Sequence, residues 1–394
     1  MRGRIVSRYP NSFNVVVDCY PVDPATGITR RKQVWHTVKG TRKDAERKLA
    51  ELLGQAYSGT LIEPAKITVG GWLDGWLETA IKPPNRRLRT YETYKSVVEA
   101  HLKPRFGSLR LQALTPLHVQ AYFTDMAAQL APATLEQHYM VLSAAVKAAV
   151  RQGYMATNVV GLILNKPHAT DDPEDVLENV WEAEEARKFL EAARQFGPQA
   201  AAFYALALDS GARKGELCGL KWEDLDLERG EVRIVRTLVK PGPKPVFGPV
   251  KNALPRTIPL NKETVALLRR HRANQAEIKL RNGEHYHDHG LVFAKEWEDR
   301  TWRGDFLGDP LQLNNLGQRQ YAKIVKAAGV RRIKFHGLRH TCATLLLKAG
   351  VPVKVVQERL GHRKIETTLN VYAHVLPSMS ADATAKLEAI LYAR

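Results

Sequence analysis

Residues 335–374 read FHGLRHTCATLLLKAGVPVKVVQERLGHRKIETTLNVYAH. Within them His336 and Arg339 stand three apart, one turn of helix, so both side chains can leave the same face. Ala343, Leu345, Leu346 and Leu347 continue that helix as an apolar stretch, and Gly350 followed by Pro352 is a stop signal in the expected order. A second short helix, 353–359, leads to Leu360, Gly361 and His362, where the glycine allows a sharp turn that presents the imidazole at a helix end. Tyr372 follows, after the β-branched and small residues of ETTLNV. Two imidazoles, a guanidinium and a phenol gathered by short helices describe a tyrosine nucleophile beside groups that bind anions and move protons.

The series H-x-x-R, L-G-H and a following tyrosine resembles the tyrosine recombinases, or phage integrases. That family also requires an upstream arginine in a G-x-R-x-x-E setting, and Gly211, Arg213 and Glu216 supply it in the run DSGARKGELCGLKWEDLDL, 209–227. Each fragment alone has an ordinary reading. Tyr372 would be a half-buried tyrosine, His336 a core or capping histidine, and Arg213 a surface charge. Their occurrence together and in order between residues 211 and 372 carries the resemblance. It also implies a catalytic lysine in a β-turn before an I-P-L strand. Lys251, eight residues before Pro259 of the TIPL run, is the match, with Lys244 as fallback, although Asn252 stands where the family usually has threonine.

Composition agrees from another direction. The 394 residues exceed one ordinary domain, and the net charge of +18 points to a polyanion, although charge alone is also compatible with nonspecific binding. The excess is spread along the chain. Lys and Arg outnumber Asp and Glu 11 to 6 in residues 1–65, 11 to 6 in 66–165 and 37 to 29 in the remainder. Cys19, Cys218 and Cys342 are odd in number and widely spaced, which reads as reduced thiols in a cytoplasmic protein. The start, MRGRIVSRYP, lacks the apolar core of a signal peptide. No apolar run approaches the roughly 18 residues that a membrane span needs.

The chain divides into three expected domains, 1–65, 66–168 and 169–394. In the first, Phe13, Val15, Val17 and Cys19 alternate with Asn14, Val16, Asp18 and Tyr20, the DPATG run (23–27) turns, and a basic strand follows near 30–38. Thr41 with Asp44 forms a capping box for a helix to about Tyr57. A three-stranded sheet backed by a helix, with Arg30, Arg31, Lys32, Lys39, Arg42, Lys43, Arg47 and Lys48 clustered, resembles the arm-type DNA-binding module of phage integrases. The plain alternative is a solvated basic hairpin. From Ile67 to Tyr154 the apolar residues recur with helical spacing in four groups, and the resemblance makes this the SAM-like core-binding domain. Arg86, Arg87, Arg89 and Lys95 near one helix start, with Lys103 and Arg105, are its candidate DNA contacts. The run NKPHATDDPEDVLE, 165–178, reads as a linker.

The third domain is expected to be mixed α/β: helices at 182–196 and 198–209, strands at 231–239 and 256–260, an irregular proline-rich loop 241–254, and a basic amphipathic helix 262–281. HYHDH, 285–289, has three histidines at alternate positions. Without cysteine or a second ligand pair it reads as a polar loop rather than a metal site, and no metal is assigned. A final helix is expected at 380–392. The fold class is therefore multidomain and mainly α with small β sheets.

The resemblance implies site-specific strand cleavage and rejoining through a 3′-phosphotyrosyl link, with no ATP, metal or other cofactor. Arg213 and Arg339 would clamp the scissile phosphate, His362 would donate to it, His336 would accept the tyrosine proton, Lys251 would protonate the leaving 5′ oxygen, and Glu216 would support the site. The implied partners are double-stranded DNA carrying attachment sites, three further copies of the chain in a tetramer on that DNA, and accessory proteins, namely a host DNA-bending protein and a directionality factor. A bacterial cytoplasmic setting at the nucleoid follows. Two alternatives stand beside the integrase reading: a type IB topoisomerase, disfavoured by the arm module, and a DNA-binding regulator without catalysis, disfavoured by the intact residue set.

Overall fold

The computed structural model describes residues 2–20, 31–57, 66–168, 178–250, 255–296, 306–316 and 318–372, and near the end 384, 387–388 and 390–392. Arg30, Lys251, most of the linker and most of the expected last helix lie outside the described residues. The chain forms two compact units, 1–170 and 171–394.

The first unit begins with a three-stranded antiparallel sheet, β1 (Gly3–Tyr9), β2 (Ser12–Cys19) and β3 (Lys32–Lys39), in that order. The period-2 pattern of β2 sends Val15 and Val17 onto helix α1 (Arg42–Tyr57), where they meet Ala45, Leu52 and Ala56. The capping box is formed: the Thr41 N–H donates to Asp44 Oδ2 at 2.9 Å and the Asp44 N–H to Thr41 Oγ1 at 3.3 Å. Four longer helices follow, α2 (Val69–Trp76), α3 (Leu88–Val97), α4 (Pro116–Ala127) and α5 (Pro132–Arg151). Their apolar stripes close over a core that includes Trp72, Trp76, Val98, Phe106, Tyr122 and Leu142. Helices 2 and 3 run on as wider turns at 77–81 and 98–102, the second of which carries the periodic Val98 and Leu102.

The second unit is built round α7 (Pro198–Ser210), which follows α6 (Ala183–Arg194). Nearly every residue of α7 is buried, so it is covered on all sides and has no polar face. Trp181, Phe189, Phe203, Tyr204, Phe293 and Tyr321 form the aromatic centre of this core. After α7 come α8 (Lys214–Cys218) and short strands β4 (Leu225–Asp226), β5 (Glu231–Ile234), β6 (Arg236–Lys240), β7 (Val246–Pro249) and β8 (Arg256–Pro259). They form one sheet in the order β4, β5, β8 and a separate hairpin of β6 with β7.

That hairpin corrects the expected irregular loop. Prolines 241, 243 and 245 do make the turn, but Thr237 pairs with Gly248 and Leu238 with Phe247, and Pro249, the one proline within β7, ends an edge strand, where proline is tolerated. Helix α9 (Lys262–Asn282) buries an unexpected polar stripe. Its His271 and Gln275 contact the carbonyls of Leu291 and Val292, and Gln275 also accepts from Trp222 Nε1 at 2.7 Å. Helix α10 (Gln320–Ala328) then leads to α11 (Gly337–Lys348), α12 (Val353–Leu360) and α13 (Ile365–Tyr372). Among the described residues no helix is long and apolar enough to cross a membrane.

Gly211 ends α7 in the left-handed region at φ 61°, and a Cβ there would lie 2.8 Å from Leu360 Cδ2 and 3.2 Å from Cys342 Sγ. Gly211→Ala should therefore cost about 1–3 kcal/mol from strain and crowding together. It should appear as a lower calorimetric midpoint for the second unit, and an unchanged midpoint would mean that the α7–α11–α12 junction is loose.

Candidate active site

Helix α11 starts at His336, and its first turn carries three of the groups at issue. The backbone oxygen of His336 accepts from the N–H groups of Arg339 and His340, so the H-x-x-R spacing is realised as one helical turn. Arg339 is 3% exposed. Its Nη1 donates to the Gly211 carbonyl and its Nη2 to the Leu360 carbonyl, each at 2.7 Å. Those oxygens belong to the C-terminal ends of α7 and α12, where unpaired carbonyls and the helix dipole favour a cation. Among the described residues these are its two acceptors, which leaves three of the five guanidinium N–H groups.

Arg213 precedes α8. Its backbone N–H donates to Glu216 Oε2 at 2.9 Å and its Nη1 to Glu216 Oε1 at 3.1 Å. Glu216 is 1% exposed, and its second partner is Arg256 of β8, whose Nη2 lies 2.7 Å from Oε2. Arg256 in turn donates from Nε to the Arg359 carbonyl at 2.8 Å. Gly361, at φ 66°, ends α12, and a Cβ there would lie 2.9 Å from Arg256 Nη1. The L-G-H glycine thus serves a left-handed turn and leaves room for a guanidinium. His362, next in the chain, has Nδ1 2.8 Å from Thr368 Oγ1.

Tyr372 is 1% exposed and packs with Ala343, Leu347, Val356 and Leu360. The imidazole at its hydroxyl is His340, not His336: Nδ1 is 3.0 Å from the phenol oxygen. His336 lies one step back, with ring centres 4.9 Å apart. Arg213, Glu216, His336, Arg339, His362 and Tyr372 are therefore gathered at one place in the second unit. Lys251 has no described position. Lys244 is exposed in the β6–β7 turn.

The electrostatics follow from this crowding. Burial works to raise the Glu216 carboxyl, but hydrogen bonding and charge from Arg256, with Arg213 behind, outweigh it, and the net shift is below the ordinary value of 4.5. His362 is pushed down to about 3, first by burial and then by Arg339, Arg213 and Arg256. His336 is exposed at the surface. The protein around it and the charges of His340, Arg339 and Arg213 still lower it to about 4. Arg339 is pressed down to about 9 by burial and then by Arg213, which leaves it protonated at neutral pH. Tyr372 departs from expectation. Nearby cations should favour the phenolate, and Arg339 does pull that way, but burial outweighs it and the phenol is raised above its ordinary value of 10.0.

The basic residues named for DNA contact are more dispersed than the sequence suggests. Arg31 is held by Asp18 at 2.9 Å, Arg42 by Glu46, and Lys48 by Glu51. Lys32, Lys39 and Lys43 are exposed, as are Arg86, Arg87, Arg89 and Lys95 of the helical region. The sheet face away from α1 carries Arg4 opposite Val16 and, on the other side, Trp35, which is 49% exposed. Arg4 and Trp35 went unnoticed in the sequence, although strand alternation places them on the same face as Lys39. His340 and Arg256 were missed as well. The first sits four residues after His336 and the second directly before TIPL, and either spacing marks it.

This is the fold and site of an enzyme that breaks and rejoins DNA strands through a tyrosine. Residues 179–379 match the phage integrase family, and residues 68–127 match the phage integrase N-terminal SAM-like domain. The chain belongs to the phage integrase family and is a site-specific recombinase. It is 30% identical to a tyrosine recombinase XerC-like protein of Caldanaerobacter subterraneus subsp. tengcongensis over 88% of this chain and 89% of that one. An integrase of Streptomyces ambofaciens is 26% identical over 84% of this chain and 82% of its own length. Among solved structures, the Tn1549 transposon integrase in complex with transposon right end DNA superposes with a TM-score of 0.62 at 22% identity, covering 82% of this chain and 99% of that chain. A lambda integrase tetramer bound to a Holliday junction gives 0.52 at 19% identity, covering 92% and 94%.

Because His336 and His362 are neutral in the fold but ordinary histidines when unfolded, the unfolded chain binds more protons below pH 6.5. Stability should fall as the pH drops from 6.5 towards 4, and Glu216, whose folded value is depressed, should add its own loss below 4.5. Thermal midpoints measured from pH 7.5 to 4 should decline in wild type and decline less steeply in His362→Gln. A flat profile in wild type would contradict the neutral assignments.

Proposed function

We propose that this recombinase is the integrase of a phage or other mobile element, acting at attachment sites through a 3′-phosphotyrosyl link at Tyr372. The observation that carries this reading is the gathering of Arg213, His336, Arg339 and His362 in one charged cluster beside the buried Tyr372, whose hydroxyl meets His340. Strand transfer to tyrosine passes through a five-coordinate phosphorus with added charge on its equatorial oxygens, and stabilising that charge is the main demand. Arg213 and the three unused N–H groups of Arg339 bind those oxygens, and Glu216 with Arg256 holds Arg213 in place. His362 donates one further hydrogen bond. His340, already at hydrogen-bond distance, takes the phenol proton, with His336 beside it. Lys251, or failing it Lys244, protonates the leaving 5′ oxygen. The phosphotyrosine conserves the bond energy, so rejoining needs neither ATP nor a metal cofactor.

The three-domain division at 65 and 168 assigns the sheet face of Arg4, Trp35 and Lys39, with Arg30, Arg31, Lys32, Arg42 and Lys43 nearby, to arm-type DNA. Arg86, Arg87, Arg89 and Lys95 are assigned to the core site. Exchange between two duplexes needs four active sites, hence a homotetramer on DNA, as in the lambda integrase tetramer bound to a Holliday junction. A host DNA-bending protein and a directionality factor would act with it at the bacterial nucleoid.

A nicked suicide duplex from the junctions flanking the encoding element provides the test. In EDTA, wild type should form a covalent adduct that survives denaturation. Tyr372→Phe should form none, and His340→Phe should form it about 10²–10⁴-fold more slowly at neutral pH, the usual range for a lost proton acceptor. Tight binding by wild type without an adduct would reject catalysis in favour of a regulator. A scissile phosphate also places negative charge beside His336 and His362, raising both from about 4 and about 3. Binding to Tyr372→Phe at pH 5.5 should then take up protons, read as a buffer-dependent calorimetric enthalpy, and enthalpies equal in all buffers would place the phosphate elsewhere.

A further inference from the structure

The HYHDH run acquires in the fold the ligand that it lacks in sequence. After α9, residues 286–290 are not helical, so His287 and His289, two apart, project to the same side while Asp288 between them faces Lys279, with Oδ2 2.9 Å from Nζ. Both imidazoles point at Asp309, twenty residues on. His287 Nδ1 is 3.0 Å and His289 Nε2 3.4 Å from the same oxygen, Oδ1. All three atoms lie within 4.8 Å of one another.

Asp309 is 0% exposed. A carboxylate buried this deeply needs compensating charge. Among the described residues its ion-pair partners are these two histidines, with no lysine or arginine, and its other oxygen accepts the Phe306 N–H at 3.2 Å. The cluster is also held rigidly. Gly308, at φ 87°, approaches the His287 carbonyl so closely that a Cβ would be 2.4 Å from it, the His287 N–H donates to the Leu307 carbonyl at 2.9 Å, and the Lys295 N–H donates to the Asp309 carbonyl at 2.8 Å. Two imidazole nitrogens and one carboxylate oxygen form the donor set of a borderline divalent ion such as zinc. Bonds of about 2.0–2.1 Å in a tetrahedron put ligand atoms about 3.3–3.4 Å apart, close to the two separations from Asp309 Oδ1 found here.

We propose that His287, His289 and Asp309 form a zinc site of the second unit, with water in the fourth position. The ion fastens the 286–290 segment to the 306–309 segment and neutralises the buried carboxylate. Its role is structural. No step of strand transfer uses it, so the site stands or falls separately from the tyrosine chemistry.

The test is zinc titration of the metal-stripped full chain against a chromophoric chelator, together with thermal melting. Wild type should take up one zinc ion per chain and melt at a higher temperature when loaded. His287→Ala/His289→Ala should lose that equivalent and the thermal gain, His289→Gln should bind at least about tenfold more weakly, and His168→Ala, whose imidazole faces Glu136 in the first unit, should behave as wild type. Failure of wild type to bind at micromolar zinc, or an equivalent retained by the double variant, would overturn the proposal. Cobalt loading of wild type guards against a variant that merely misfolds: the strong visible bands of a four-coordinate nitrogen and oxygen site are expected, and a six-coordinate spectrum or a thiolate charge-transfer band would reject the assignment. EDTA should lower the melting temperature of the loaded protein while leaving covalent adduct formation intact.

Discussion

The second unit depends on one buried guanidinium. Arg339 joins the carbonyls of Gly211 and Leu360 at the ends of α7 and α12, two helices far apart in the chain that would otherwise present unpaired oxygens there. An apolar side chain there would leave both carbonyls unsatisfied, and a lysine lacks the planar fork that reaches two acceptors at once. The same contact fixes the geometry of the chemistry. Gly211 leads by two residues to Arg213, and Leu360 by two to His362, so the residue that closes the fold also sets where the proposed ligands of a phosphate stand.

Around that tie the charges are arranged so that folding does not neutralise them. Among the described residues Glu216 is the buried carboxylate shared between Arg213 and Arg256, and its charge also reaches Arg339. Its partition differs: the Arg256 side chain is 8% exposed and spends another donor on the Arg359 carbonyl, whereas the Arg213 side chain is 28% exposed. One arginine is thus committed to structure, and the other is positioned yet still reachable. The surplus positive charge left in the cluster adds to burial, the larger cause, in lowering His336 and His362, and in the proposed reaction it is the charge that a phosphate would meet. Preorganised cations of this kind need little rearrangement when charge develops on a substrate.

How much of this was legible in the sequence depends on the kind of information each residue carries. Elements governed by local rules were readable: the alternation of β2, the Thr41–Asp44 box, the apolar stripes of the helical region, and the spacing from His336 to Arg339. Elements governed by tertiary partners were not. Nothing local marks the polar face of α9 as buried, because His271 and Gln275 acquire their reason only from the carbonyls of Leu291 and Val292. The β7 strand was hidden by prolines whose missing donors matter less at a sheet edge. His340 was obscured by its neighbours, since the H-x-x-R pattern draws attention to the residue three before Arg339 and not to the one just after it. The histidines at 287 and 289 were visible as a motif, but Asp309 gives them a common target only once the fold is formed.

The nucleophile shows why motif and geometry must be read together. A tyrosine beside two arginines is expected to ionise more readily, and the sequence encouraged that view. In the fold the Tyr372 ring is enclosed by Ala343, Leu347, Val356 and Leu360, and the loss of water outweighs the attraction of Arg339. The phenol is therefore held neutral, bonded to His340. Burial thus makes ionisation harder than the neighbouring charge alone would suggest. In the proposed reaction the activation must come from what is added to the site and from what is already in place: a phosphate would bring charge to Arg213 and Arg339, and His340 stands at 3.0 Å from the phenol oxygen to receive its proton.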